Sequence, residues 1–94
     1  MQPTGPIGSG ATGVNPGASP DVADPLPTFG QNLRRIRREK GLSQERLAHA
    51  SGLNMTHVAR IERGEREPGV RTVSKLTKGL GVSAAALFDG IDGR

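Results

Sequence analysis

Residues 43–64, from Ser43 to Gly64, read SQERLAHASGLNMTHVARIERG, and the order of small and apolar residues within them decides the fold. Leu47, Ala48, Gly52, Leu53, Val58 and Ile61 fall where two short helices meeting at a tight turn need them. Leu47 points inward from the first helix, Ala48 lets a second helix cross closely, and Gly52 can take the positive φ that a sharp turn between helices demands. Val58 and Ile61 sit three apart on the buried side of the second helix. Ser43 opens the first helix, which runs to about Ala50, although Arg46 stands where a full capping box wants Glu or Gln. Asn54 opens the second, and Gly64 is a good left-handed stop for it.

Outward from this pair, a helix is predicted to start at Thr28, capped as Thr-Phe-Gly-Gln with Gln31 reaching back, and to stop at Gly41. Phe29, Leu33, Ile36 and the stem of Lys40 make its inner stripe. On the other side Pro68 and Gly69 break the chain before a fourth helix, in which Val70, Val73, Leu76 and Leu80 recur at helical spacing up to Gly81. Gly79 weakens its last turn. A short fifth helix follows Ser83 through Ala84, Ala85, Ala86, Leu87 and Phe88. The reading is all-α, with five helices and no strand candidate. Residues 1–27 hold five glycines and six prolines, with Ile7, Val14, Val22 and Leu26 scattered without period. Such a segment cannot bury enough apolar surface to offset its ordering entropy, so it is predicted to be a disordered tail ahead of a domain at 28–94. It suits a flexible spacer or a partner-docking tail, and it names no partner.

From Phe29 to Phe88 the chain resembles the Cro and phage-repressor family of helix-turn-helix proteins, the XRE-type regulators. The resemblance implies a compact, lambda-repressor-like DNA-binding domain that reads double-stranded DNA as a transcriptional regulator, most simply a repressor at a short inverted repeat. In a helix-turn-helix the second helix of the motif lies in the major groove while the first crosses the backbone. The helix after Asn54, third in the chain, is then the reader. Stepping about 100° per residue from Val58 and Ile61 places Thr56, Ala59, Arg60 and Arg63 on the opposite face and Met55 at its leading tip. Arg60 can offer a fork of donors to O6 and N7 of a guanine, Thr56 can meet a base edge or a phosphate, and Met55 can pack on a thymine methyl.

Gln44, in the first turn of the second helix, can bond a phosphate through its side chain and through free backbone N–H groups aided by the helix dipole. The family resemblance implies the same role. His57 lies on the border of the two faces, where it either touches a phosphate or covers the core. The loop after the third helix carries Glu65 and Glu67, a departure from the family pattern, with Arg66 and Arg71 to offset them; Arg66 joins the expected DNA contacts. Arg37 and Glu62 flank the seam where the first and third helices would pack, and the resemblance implies a partly buried ion pair between them. Arg34, Arg35 and Arg38 point elsewhere and read as general electrostatic surface. Ser51 stands where an apolar residue is commoner. A homodimer on DNA is expected, since one reading helix covers few base pairs, with Leu87, Phe88 and Ile91 as contacts; Phe88 has the alternative of closing its own core.

Composition narrows the remaining classes. Ninety-four residues allow one small domain with little capacity for an enzyme pocket. There is no cysteine, hence no disulfide or thiolate zinc site. His49 and His57 have no carboxylates at ligand spacing, so neither a metal nor another cofactor is expected. No apolar run approaches the roughly 20 residues of a membrane span, and the N-terminus lacks a signal-peptide layout. A cytoplasmic protein, nucleoid-associated when bound, is expected. The formal charge of +4 is uneven: only Asp21 and Asp24 are charged in residues 1–27, leaving thirteen basic against seven acidic residues beyond them. A compact domain with that excess attracts polyanions. Two rival readings use the same fold, an antitoxin-like protein that also binds a toxin and a coactivator-type bridging protein. Arg60 argues against the second.

Overall fold

The computed structural model describes residues 24–91, which form five helices: α1 (Pro25–Glu39), α2 (Gln44–Ser51), α3 (Met55–Glu62), α4 (Val70–Leu80) and α5 (Ala84–Leu87). No strand occurs among the described residues. Helix α1 starts three residues ahead of the expected Thr28. Asp24 caps it, with its Oδ1 accepting the Leu26 N–H at 3.0 Å, and a proline in the first turn has no N–H left to satisfy. Thr28 and Gln31 therefore lie inside the helix rather than at its cap. Residues 1–23, most of the predicted tail, lie outside the described residues.

The two turns of the deciding stretch follow from its caps. Ser43 Oγ accepts from the Arg46 N–H at 3.0 Å and Asn54 Oδ1 from the His57 N–H at 2.7 Å. Between them Gly52 closes α2 at a φ of 70°, a left-handed conformation that strains a residue with a Cβ. Leu33, Leu47, Val58, Ile61, Leu76 and Leu87 have side chains wholly or almost wholly removed from solvent, joined in the core by Phe29, Ile36, Ala48 and Leu80. Each large apolar side chain so buried contributes about 1.5–3 kcal/mol. Every helix supplies at least one of these residues, which fixes α3 against the rest by one face only.

Two members of the expected apolar stripes are not in the core. Lys40 is the C-cap of α1 and is exposed; the chain reverses at Gly41, and Leu42 packs on the core in its place. Val70 is 88% exposed, because it is the first residue of α4 while Val73, Leu76 and Leu80 carry the packed stripe. Leu87 corrects a further expectation. It is 0% exposed within its own chain and has no surface to give to a second copy. Phe88 divides its ring, at 42% exposure, between solvent and an edge-to-face contact with Phe29 at 5.1 Å. Ile91 is half-buried against the core. Asn32, buried on α1, donates through Nδ2 to the carbonyls of Leu87 at 2.9 Å and Asp89 at 2.8 Å, tying the end of α5 to α1.

Two glycines allow helices to touch through their backbones. A Cβ on Gly30 would lie 2.5 Å from the Ile61 carbonyl oxygen and 2.8 Å from the Glu62 carbonyl carbon, so α1 and α3 are in direct backbone contact there. Gly79 of α4 faces Ser51 of α2, and a Cβ on Gly79 would overlap the Ser51 hydroxyl. Gly79 is thus a packing requirement as well as a weak helix former. Ser51 is buried at this crossing, and its Oγ has no hydrogen-bond partner.

Candidate nucleic-acid interface

The apolar face of α3 is consumed by the core, and what remains outward is polar. Thr56 and Arg60 are exposed, Met55 at the head of the helix is half exposed, and Ala59 and His57 sit at the border. Arg60 takes part in no ion pair among the described residues. A guanidinium fork with no partner in its own chain can still be used bidentately by a base edge. Arg63 differs: it is the C-cap of α3, and its fork is taken by Glu65, Nε to Oε2 at 2.9 Å and Nη2 to Oε1 at 3.0 Å. The pair raises the Arg63 guanidinium and lowers the Glu65 carboxyl relative to their ordinary values, chiefly through these hydrogen bonds.

Beneath α3 an ion pair joins it to α1. Arg37 Nε donates to Glu62 Oε2 at 2.6 Å and Nη2 donates to Oε1 at 3.1 Å, with both side chains at least nine-tenths buried. Arg37 Nη1 also donates to the Leu42 carbonyl at 2.9 Å. The third side chain of the cluster is Gln44, whose Nε2 donates to Glu62 Oε1 at 3.0 Å. The residue expected to face a phosphate is therefore oriented by the buried pair, with one Nε2 N–H and its Oε1 left to use. The backbone N–H groups of the first turn of α2 are left over by helix geometry and carry the positive end of its dipole.

Gln44, Met55 and Arg63 line one open trough together with Arg34, Arg37 and Arg38 and the carboxylates of Glu45 and Glu62. Taken singly, Arg34 and Arg38 read as general electrostatic surface rather than as part of this trough. Their separation of four places them on one face of α1, beside Arg37, which is the signal that could have found them. Arg35 instead faces Glu39, at 3.5 Å. On the far side of α3, burial and the positive charges of Arg66 and Lys75 hold the His57 imidazole below its ordinary value. Arg66 and Lys75, both exposed, are thus close enough to His57 to disfavour its charged form. Among the described residues no group of three or more His, Asp or Glu could hold a metal ion.

A family model described as helix-turn-helix matches residues 33–87. The chain belongs to this family. As a helix-turn-helix protein it is a DNA-binding transcription regulator, similar over 63 residues, at 43% identity, to an uncharacterized HTH-type transcriptional regulator, y4dJ, of Sinorhizobium fredii; the match spans 67% of this chain and 82% of that one. It is similar to the control protein C.BamHI of Bacillus amyloliquefaciens, 42% identical over 65% of this chain and 76% of that protein. Among solved structures it is similar to the restriction-modification controller protein C.AhdI of Aeromonas hydrophila, with a TM-score of 0.66 and 44% identity over 67% of this chain and 96% of that one. No helix of the described residues is long and apolar enough to cross a membrane.

Proposed function

We propose that this helix-turn-helix protein is a transcriptional repressor that binds a short inverted repeat in double-stranded DNA as a homodimer, with α3 in the major groove. The observation that carries the reading is the division of α3 into a face held in the core through Val58 and Ile61 and an outward face with Thr56 and an uncommitted Arg60. In the proposed complex Arg60 reads a guanine, Met55 packs on a thymine methyl and Thr56 meets a base edge or phosphate. Gln44, with the N–H groups of the first turn of α2, holds a phosphate, and Arg34 and Arg38 continue that contact along the trough. His57 and Arg66 are the remaining candidate contacts, with Arg63 available only in competition with Glu65.

One reading helix covers only a few base pairs, so two copies spaced about 34 Å apart, one turn of B-DNA, are needed for a specific site. The exposed part of Phe88 and the half-buried Ile91 supply apolar surface for that pairing. The protein so described needs no catalysis and no cofactor, and works in the cytoplasm at the nucleoid. In vitro selection of DNA fragments by the purified protein, sequenced at low and high salt, tests the reading. An inverted repeat enriched at both salt concentrations is the expected result, and enrichment of no common sequence contradicts it.

A second, narrower reading is favoured by the similarity to C.BamHI and C.AhdI, both named as control or controller proteins. Under it, the selected repeat lies ahead of restriction and modification genes. Mapping the selected sites onto the genome separates this reading from a general repressor.

A further inference from the structure

The acid that follows the reading helix is folded back against it by the backbone. Gly64, at a φ of 72°, reverses the chain, and the Glu65 N–H then donates to the Arg60 carbonyl at 2.9 Å. From this position both oxygens of the Glu65 carboxylate take the fork of Arg63, at 2.9 and 3.0 Å. The positive charge of Arg60 also bears on Glu65, and helps to keep its carboxyl low. Both side chains of the pair are more than half exposed, so water and salt compete with it, and so does any DNA phosphate within reach. Of the two arginines at the end of α3, one is uncommitted and one is engaged.

We infer that Glu65 is an affinity-limiting residue: by occupying Arg63 it withholds a phosphate contact that the reading helix would otherwise make. The inference rests on α3 being the DNA-reading helix. A phosphate contact adds the same attraction to every sequence and releases counterions, whereas a base contact distinguishes sequences. Engaging Arg63 internally therefore lowers attraction to all DNA alike and leaves the discrimination by Arg60 intact. A regulator limited in this way releases its site more readily as its concentration falls.

Glu65→Gln keeps the size of the side chain and removes its charge. Wild type and variant are titrated by fluorescence anisotropy against a duplex recovered by selection and against a scrambled duplex, over a range of salt. Glu65→Gln is expected to bind both duplexes about two- to five-fold more tightly per protomer, the range of an exposed ion pair. The slope of log affinity against log salt should steepen by about 0.9 per protomer, and the selected-to-scrambled ratio should not move. Adding Arg63→Gln should return affinity and slope to the wild-type values. Unchanged affinity and slope in Glu65→Gln overturn the inference, as does a Glu65→Gln gain as large in an Arg63→Gln background as in wild type, which would show Glu65 acting through its general field. A gain confined to the selected duplex overturns it too, because Arg63 would then be reading bases. Wild type that prefers neither duplex overturns the reading of α3 and this inference with it.

Discussion

At the scale of the residue, the side chain on which most depends is Glu62. It lies between α1 and α3, and it also holds Gln44 at the head of α2. Removing Arg37 leaves a buried carboxylate with only Gln44 to answer it, which should cost about 3–5 kcal/mol. A double-mutant cycle of Arg37→Met and Glu62→Leu by urea unfolding should find the double variant less destabilised than the sum of the singles by more than about 1 kcal/mol. Additivity would mean that the two charges do not act as a pair. The placing of both residues at the α1–α3 seam was legible from helical spacing, whereas the third partner was not. Gln44 reads in sequence as a first-turn phosphate contact, and its bond to Glu62 follows only once the turn between α1 and α2 brings it over that carboxylate. His57 gives a pH test. Its folded-state value lies below 6.5, so the unfolded chain takes up the proton first and stability falls as pH drops through 6.5 toward the folded value. Urea unfolding of wild type and His57→Gln should coincide above that window and diverge within it, wild type losing more. Parallel curves would show that His57 feels neither burial nor Arg66 and Lys75.

At the scale of the element, caps and stops were the most readable features, and helix faces nearly as much. Ser43, Gly52, Asn54 and Gly64 each do what their chemistry allows. The start of α1 is ambiguous in sequence because Thr28 and Gln31 offer a capping box, while Asp24 followed by Pro25, which has no N–H, offers a competing start. Sequence periodicity says which residues face inward and is silent on how close two helices come. The α2–α4 crossing turns on that distance. Gly79→Ala should gain up to about 1 kcal/mol in helix propensity, yet overlap with Ser51 should make the variant less stable overall, by about 1–3 kcal/mol of overpacking. Ser51→Ala at the same crossing removes a buried, unpartnered hydroxyl and should raise stability by about 1 kcal/mol. Thermal melts of both variants check the pair; a Gly79→Ala protein more stable than wild type would show that the helices can separate freely.

At the scale of the whole molecule, the arrangement of five helices was legible because a single apolar stripe per helix leaves few ways to close so small a core. Membership in the helix-turn-helix family followed from the same residues. The surface was less legible, since charged residues carry no periodic mark of what they face. Arg63 and Arg60 look alike in sequence, three apart on one helix, and differ in that one is bound to Glu65. Leu87 looked like surface beside Phe88 and is wholly inside, because the turn after α5 is tied back to α1 by Asn32. Under the proposed function the molecule offers DNA the outward face of α3 beside the arginine-lined trough, with Arg60 as the central element. The most direct measurement is the ratio of affinities for selected and scrambled duplexes, by anisotropy, for wild type and Arg60→Ala. Arg60→Ala is expected to lose about 1–3 kcal/mol per half-site on the selected duplex, with relaxed preference at one base pair and little more than a lost charge on the scrambled one. An unchanged ratio would contradict it, and α3 would not be the helix that reads.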